Sequence, residues 1–401
     1  MLSLIIMTLK KGASNLLNDF SFSSVSDVRV GSGSSNELGA CARGLLTRHV
    51  LVVTDAEIQA LGLLDSALSS LKKSGIAVTL FSQVVADPPE SVVLAGLELA
   101  KREGCDGVIG FGGGSSLDVA KLLAVLIVGK QSLSEIYGVD KINSPRLPLI
   151  QVPTTAGTGS EATMVSIITT GRTTKAGVVS RTLLADSIIL DAALTLGLPA
   201  HVTAATGIDA MVHAIEAFTS VRLKNPLSDM LAKEGLSMLA TNISIAVHNG
   251  SDLSARQEML IGAMLAGQAF ANAPVAAVHA LAYPLGGNYH IPHGLSNSLV
   301  LPHVLRFNEP SAAPLYHQLV PSIFNCDKKS AKEERATAML AEYFFELAED
   351  FGLPTRLRDM DIPENDLAML AEEAMLQTRL LINNPREMGK SDALEIYNQA
   401  Y

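Results

Sequence analysis

Apolar and polar positions follow different patterns in the two halves of the chain. In the first half, apolar runs rich in β-branched residues lie at 49–54, 76–81 and 107–111. Helical stretches, such as that from about residue 91 to 103, separate these runs. Continuous apolar strands that alternate with helices are typical of a parallel sheet covered by helices on both faces. The pattern therefore predicts a parallel-sheet α/β domain in this half.

The alternation ends near residue 200. Stretches rich in Ala, Leu and Met, at 227–249 and 254–271, predict long helices. At 197–199 a glycine ends one element and a proline opens the next, which favours a domain boundary there. The predicted units are residues 1–25 (an N-terminal extension), 26–197 (the α/β domain) and 198–401 (an all-helical domain).

The composition is that of a globular protein with a large core, and it argues against nucleic acid and membranes as partners. Apolar residues make up 48% of the 401 residues and charged residues 17%, and the net charge is −10. This charge disfavours non-specific binding to nucleic acid or to an anionic membrane. No window approaches the roughly 20 apolar residues that span a bilayer, and the three cysteines are widely spaced without a CxxC pair. We therefore expect a cytoplasmic protein without disulfides.

A glycine-rich turn follows the third apolar run. Residues 110–121 read GFGGGSSLDVAK, in which the run leads into three glycines and a helix that starts near Ser115. Glycines let a backbone approach a phosphate closely, and the first free N–H groups of a helix point towards it. The pattern differs from the GxGxxG fingerprint. It indicates a phosphate-bearing ligand, with a tight turn that binds nothing as the alternative.

Two further features point to the same edge of the predicted sheet. Residues 149–161, LIQVPTTAGTGSE, place hydroxyl groups and glycines after another strand. Loops at the carboxyl ends of parallel strands gather where ligands bind. Asp55 lies just past the first strand, where it could accept hydrogen bonds from the adenosine ribose and favour NAD over NADP. Its alternative role is that of a helix cap.

Candidate metal ligands lie in two segments of the second half. Asp209 and His213 are four residues apart and share one face of a helix. A second segment, 278–294, contains His279, His290 and His293. Three imidazoles and one carboxylate suit zinc or ferrous iron. Spacing alone does not choose among the three histidines, and an ordinary hydrogen-bonded Asp–His pair remains the alternative.

Taken together, these motifs resemble the iron-containing (group III) alcohol dehydrogenase family. The resemblance runs from about residue 50 to 308. Its motifs, in order, are VTD at 53–55, GGGSSLDVAK at 112–121, TTAGTGSE at 154–161, GIDAMVHAIE at 207–216 and PHGLSN at 292–297. The whole segment from AMLAGQAF at 263–270 to LPH at 301–303 matches as well. The resemblance implies a Rossmann-like parallel-sheet domain followed by a helical domain, as in dehydroquinate synthase, and a homodimer.

The resemblance also implies roles for individual residues. The metal, Fe²⁺ with Zn²⁺ as the alternative, would be held by Asp209, His213, His279 and His293, and His290 would not be a ligand. The cofactor NAD would contact the residues at the matching positions, which are Asp55, Gly113, Gly114, Ser115, Thr154, Thr155, Thr163 and Lys175.

Two positions depart from the family pattern. Where the family often has Asn before a proline, this chain has Asp87, so that cofactor contact is altered or lost. Many members have a second histidine four residues after the third ligand, on the proton path, and here that position is Tyr283. A phenol can relay a proton, but its ordinary pKa near 10 makes it a poorer base than imidazole. Tyr283 is therefore a candidate catalytic residue, with a packed aromatic side chain as the alternative.

The function implied is that of a metal-dependent oxidoreductase. It would transfer hydride between an alcohol and NAD, with the metal as a Lewis acid on the substrate oxygen. One alternative is a maleylacetate-reductase-like enzyme, which can work without metal. Another is a dehydroquinate-synthase-like lyase, which would need a Lys/Arg cluster that the metal segments lack. A non-catalytic structural role, as in polymerising relatives, is the third.

Overall fold

A six-stranded sheet with every neighbouring pair parallel organises the first half of the chain. The computed structural model of the protein describes residues 19–171, 174–324 and 332–401. The strands of this sheet are β1 (Asp27–Val30), β2 (His49–Asp55), β3 (Ala77–Val84), β4 (Gly107–Gly112), β6 (Leu149–Pro153) and β9 (Ser187–Leu190). Their order across the sheet is β1-β9-β6-β4-β2-β3.

Helices cover this sheet, as the apolar strands require. β4 and β6 are buried along their whole length, because helices pack on both faces and leave no side facing water. The helices of this half are α1 (Leu38–Gly44), α2 (Ala56–Ala60), α3 (Asp65–Lys73), α4 (Glu90–Glu103) and α5 (Gly114–Leu126). The predicted parallel α/β architecture is confirmed.

A small second sheet, which the sequence pattern did not predict, lies beside the first. It has the order β5-β8-β7, with β5 at Gly138–Val139, β7 at Val165–Thr170 and β8 at Thr174–Val179. β7 and β8 form an antiparallel pair. This pair carries Lys175 to the edge of the cleft described below.

The second half is helical in all its regular elements within the described residues. The helices are α6 (Ala200–Thr219), α7 (Pro226–His248), α8 (Leu253–Asn272), α9 (Ala277–Tyr289), α10 (His293–Phe324), α11 (Glu333–Asp350), α12 (Leu367–Ala374), α13 (Thr378–Leu381) and α14 (Lys390–Ala400). The central helix is α6, which is buried continuously from Gly207 to Thr219 because α7, α8 and α10 pack around it. The predicted helical second half is confirmed.

The two halves touch where two glycine backbones meet. Gly159 adopts φ +58°, and a Cβ there would lie 2.6 Å from the Cα of Gly267 in α8. A Cβ on Gly267 would in turn lie 2.6 Å from the Gly159 carbonyl oxygen. Glycine is therefore required on both sides of this contact. The contact therefore fixes the loop that contains Gly159 on the helical half. This loop leads into the cleft described below.

The predicted division into units at 25/26 and 197/198 stays a prediction. Residues 1–18 of the predicted extension lie outside the described residues. Within its remaining part, Val25 is buried and Ser23 exchanges hydrogen bonds with the Asn272 side chain. Among the described residues no single helix is long and apolar enough to cross a bilayer; α8 and α9 together meet that test but are bent by 106°.

Candidate metal centre and cofactor cleft

The central helix α6 places two candidate ligands on one face. Asp209 and His213 are one turn apart and buried, with 2% and 4% of their surface exposed. The Asp209 Oδ1 and His213 Nε2 atoms are 3.9 Å apart. Polar side chains on a helix that is otherwise apolar on every side need partners, since an unpaired buried polar group is costly.

Two further helices complete the cluster. His279 lies in the first turn of α9 and His293 is the first residue of α10. Their Nε2 atoms lie 3.9 and 3.7 Å from Asp209 Oδ1. One ligand atom from each of the four residues lies within 4.8 Å of the others. Ligands of a tetrahedral site with bonds near 2.1 Å are about 3.4 Å apart, so this cluster is close to the size that a metal requires.

The protonation of the cluster favours metal binding. Burial lowers the pKa of His213 to about 3 and also lowers that of His293, so both imidazoles are neutral near pH 7. Burial by itself would raise the pKa of Asp209, but its interactions with His213, His293 and His279 and the hydrogen bond from Asn297 outweigh burial, so the pKa is lowered and the carboxyl is ionised. Three imidazoles and one carboxylate are a donor set that suits Zn²⁺ or Fe²⁺. His290 lies outside the cluster, at the C-terminus of α9.

Glu216 orients one of the candidate ligands, and the sequence analysis assigned it no role. Its Oε2 lies 2.6 Å from His279 Nδ1, and its Oε1 accepts a hydrogen bond of 2.7 Å from the Val278 N–H. Because a carboxylate only accepts hydrogen bonds, Nδ1 carries the ring proton and Nε2 presents its lone pair to the cluster. The sequence offered one signal for this role. Glu216 lies seven residues after Asp209, so the two side chains lie on the same face of the helix, two turns apart.

Replacing Glu216 by Gln is expected to weaken metal binding by about 10- to 100-fold. The amide oxygen can accept from Val278, but the amide NH₂ then faces His279 Nδ1 and favours the proton on Nε2, the wrong tautomer for a ligand. Competition with a metal-sensitive dye measures the affinity. The exposed Glu234→Gln in α7 is the matched control. An E216Q affinity equal to that of the control would contradict the assigned role.

Asn297, one turn after His293 in α10, is a second neighbour that sequence reasoning missed. Its Nδ2 lies 2.6 Å from Asp209 Oδ1, 3.3 Å from His293 Nε2 and 3.4 Å from His279 Nε2. A single amide group thus faces three of the four candidate ligand atoms. The spacing of four residues from His293, on one face of a helix, was the signal for it.

The glycine-rich turn lies at the other end of the same cleft. Gly113 caps α5, whose 13 residues begin at Gly114. A Cβ on Gly114 would lie 2.8 Å from the Thr158 side chain, so the second loop packs directly on the turn. The exposed N–H groups of the first helical turn and the helix dipole make this end attractive to a phosphate. Thr158 lines the cleft and was not singled out in the sequence.

A cleft of about 280 Å³ connects this helix terminus with the metal cluster. Five of the predicted cofactor residues line it: Asp87, Gly114, Ser115, Thr163 and Lys175. The other four do not line it and lie at the ends of β2, β4 and β6: Asp55, Gly113, Thr154 and Thr155. His213, His279 and His293 form part of its wall, and so does Tyr283.

A buried lysine joins α5 to the second loop behind the cleft. Lys121 in α5 is fully buried and donates hydrogen bonds of 2.8 and 2.9 Å to the hydroxyls of Ser160 and Thr163. It also pairs with Asp118 at 3.2 Å. Asp118 in turn accepts from the Ile167 N–H at 2.8 Å. Thr163, predicted as a cofactor contact, therefore has its hydroxyl engaged by Lys121 while its surface faces the cleft.

Asp55 caps a helix, which was its alternative role. Its Oδ1 accepts a hydrogen bond of 2.8 Å from the Ile58 N–H at the start of α2. Its Oδ2 lies 3.6 Å from the position that a Cβ on Gly112 would occupy. The carboxylate thus stands between the ends of β2 and β4, and capping leaves Oδ2 directed towards the glycine turn.

Two departures from the family pattern face the cleft. Asp87 has φ +50° and pairs with Lys175, which also donates to the Thr169 hydroxyl at 3.3 Å. Tyr283 lies one turn after His279, with its ring centroid 6.1 Å from that of His293. Burial raises the pKa of the Tyr283 phenol, so the hydroxyl stays protonated at neutral pH.

Comparison with known proteins gives matches over both halves of the chain. The profile described as iron-containing alcohol dehydrogenase matches residues 26–192. The profile described as the C-terminal part of the Fe-containing alcohol dehydrogenase family matches residues 203–401.

Individual relatives match over almost the whole length. The chain is 40% identical over 378 residues to the long-chain-alcohol dehydrogenase 1 of Geobacillus thermodenitrificans, which covers 93% of this chain and 94% of that protein. The crystal structure of a 1,3-propanediol oxidoreductase has a TM-score of 0.92 at 33% identity, covering 96% of this chain and 100% of the other. The sulfoacetaldehyde reductase of Bifidobacterium kashiwanohense, solved with NAD⁺, has a TM-score of 0.84 at 27% identity, covering 95% and 98%.

Proposed function

Because the chain belongs to the iron-containing alcohol dehydrogenase family, and is therefore an oxidoreductase of alcohols and aldehydes, we propose that Asp209, His213, His279 and His293 hold its metal. The observation that carries this assignment is that four ligand atoms from three helices lie within 4.8 Å of one another. The cluster forms one end of a cleft whose other end is a helix N-terminus. A phosphate-bearing cofactor and a substrate can therefore lie in one cleft.

The residues around the cluster prepare it for substrate. When bound, a divalent metal supplies a Lewis acid for the substrate oxygen and NAD carries the hydride. Glu216 holds His279 in the ligand tautomer. Phe270 stacks on His213 with 4.5 Å between ring centroids and makes one wall of the site apolar. An apolar wall excludes water from the reacting carbon and strengthens electrostatic interactions nearby.

The cofactor we propose is NAD, lying along the carboxyl edge of the sheet. Its pyrophosphate would lie on the N-terminus of α5, at Gly113, Gly114 and Ser115. The carboxylate of Asp55 beside this turn would accept from the adenosine ribose and repel the 2′-phosphate of NADP. Thr154, Thr155 and Thr163 complete the proposed contacts around the two loops. The NAD⁺ complex of the related sulfoacetaldehyde reductase supports this choice.

Lys175 and Tyr283 are proposed to act at the nicotinamide end. Lys175 would contact the nicotinamide ribose, while Asp87 fixes the lysine through their ion pair. The Tyr283 hydroxyl, kept protonated by burial, would hold a proton near the substrate oxygen and serve as a donor for aldehyde reduction.

Metal reconstitution tests the proposed function. Protein stripped by a chelator and reloaded with Fe²⁺ or Zn²⁺ is expected to oxidise primary alcohols only in the loaded state, and faster with NAD than with NADP. The rate of NADH formation and the metal content of the same samples give the result. Activity that persists in metal-free protein would instead fit a maleylacetate-reductase-like enzyme. Turnover without net NADH formation would fit a dehydroquinate-synthase-like lyase.

We also propose a cytoplasmic homodimer. β1 is an edge strand, and its Val28 and Val30 are 36% and 47% exposed. Pairing with a second copy of the chain would bury this apolar edge.

The cytoplasmic location is supported by the cysteines. Cys41 and Cys105 are buried free thiols, which suits a reducing compartment.

A further inference from the structure

The charged side chains that line the cleft are balanced except at one position. Outside the metal cluster, the charged lining residues in the described part of the chain are Asp87, Asp118, Lys175 and Arg379. Lys175 pairs with Asp87, and Asp118 pairs with Lys121. Arg379 has no carboxylate within 4.0 Å among the described residues. The cleft therefore carries one uncompensated cation, at Arg379.

Arg379 lies in the short helix α13 and faces Tyr283. Its charge lowers the pKa of the Tyr283 phenol, against the larger opposite effect of burial. Its Nη2 atom lies 3.5 Å from the position that a Cβ on Gly177 would occupy, so the guanidinium lies along the β8 backbone. The residue is exposed, and water hydrates the guanidinium until a ligand enters. Its position is at the mouth of the cleft.

One aromatic side chain lies near both this cation and the Asp/His cluster. The Tyr283 ring centroid lies 6.1 Å from that of His293, and the Tyr283 hydroxyl interacts with Arg379. The wall beside Tyr283 is apolar and provides no side-chain hydrogen-bond partner for a polar group of a ligand. Its residues are Phe270, Ala271, Pro274, Val275 and Leu380. A molecule with an oxygen at the Asp/His cluster and an anionic group at its other end could therefore contact both the cluster and Arg379.

We propose that Arg379 binds an anionic group of the substrate, and that the preferred substrates are short alcohols and aldehydes with a carboxylate, sulfonate or phosphate at the far end. The planar guanidinium donates two parallel N–H groups, a geometry that these oxyanions accept. Only a substrate that carries the anion gains the attraction to the guanidinium, and this creates the preference. The inference rests on the proposed function, because the substrate oxygen must lie at the metal cluster.

Pairs of probes that differ in charge test this inference on the metal-loaded enzyme with NAD. The anionic probes are β-hydroxypropionate, isethionate and hydroxyethyl phosphate, which distinguish the three oxyanions, and β-hydroxypropionamide is the neutral isostere. For at least one anion we expect kcat/KM to exceed that of the amide by about tenfold or more. In Arg379→Gln this ratio is expected to fall at least about tenfold, and Arg379→Lys to retain an intermediate ratio. Arg335→Gln, an exposed arginine in α11, is the control for loss of a surface charge.

The outcomes separate the two proposals. Turnover of the amide at a rate equal to that of every anion would overturn this inference and leave the proposed function standing. An R379Q enzyme whose KM for NAD rises while its anion-to-amide ratio stays unchanged would assign Arg379 to the cofactor and also overturn it. Absence of turnover with every probe and with simple primary alcohols would overturn the proposed function, and this inference with it.

Discussion

The Asp209→Asn protein is expected to lose about a thousandfold or more in kcat/KM while it keeps its fold. Asp209 is the only anionic member of the cluster, and its Oδ1 lies within 3.9 Å of all three imidazoles. The amide has the same shape but no charge, so a divalent metal loses its main electrostatic attraction. Loss of the Lewis acid then removes the charge stabilisation of the transition state, a term of several kcal/mol.

Thermal unfolding with and without metal separates this effect from misfolding. A metal that binds only the native state raises the Tm of the wild-type protein. The D209N protein is expected to lose that metal-dependent increase, while its metal-free Tm stays close to that of the wild type, because the amide oxygen can still accept the hydrogen bond from Asn297. Asp350→Asn, at an exposed Asp–His pair of 2.9 Å with His248, is the matched control. Wild-type metal content and activity in D209N would show that Asp209 is not a ligand.

Replacing Gly267 by Ala is expected to lower the free energy of unfolding by at least about 2 kcal/mol. In an exposed helix the same change would stabilise by about 1 kcal/mol, because alanine has the higher helix propensity. Here the new Cβ would lie 2.6 Å from the carbonyl oxygen and 2.8 Å from the Cα of Gly159. Backbone atoms cannot rotate away as a side chain would. Either the loop or α8 must therefore move. A shift of the loop also displaces Thr158, which lies beside Gly159 and lines the cleft.

Urea unfolding and NAD titration measure both consequences of G267A. We expect a lower urea midpoint and a higher KM for NAD. Gly44→Ala at the end of α1 is the matched control, because nothing lies within 4 Å of its Cβ position and its φ is not positive. That variant is expected to be as stable as the wild type or slightly more stable. Equal stability of the two variants would mean that the glycine contact does not hold the halves together.

Most of the architecture was predictable because strand and helix patterns are local. The runs predicted as strands at 49–54, 76–81 and 107–111 correspond to β2, β3 and β4 within three residues at each end. The small sheet was missed because β5 has only two residues and because β7 and β8 are only partly buried, so no continuous apolar run marks them. Local patterning predicts an element well only when burial imposes it.

The candidate site was predictable in part. Spacing on a helix identified Asp209 and His213, but the choice of His279 and His293 over His290 came from the family resemblance, and the ligand roles of all four remain proposals. Glu216 contacts His279 across 63 residues, and no local rule connects the two. Asp55 had two interpretations, and the structure shows its helix cap; its contact with NAD remains a proposal.

By itself, the sequence determined the alternating strands and helices of the first sheet, the glycine turn at a helix N-terminus and the ligand spacing on α6, because each depends on residues within a few turns of one another. Only the tertiary structure decided which distant side chains meet. Packing of α6, α9 and α10 brings the four candidate ligand atoms together, and packing of α13 beside Tyr283 brings Arg379 to the same cleft. Such contacts depend on how whole helices pack, and the residue pattern of a single segment does not contain that information.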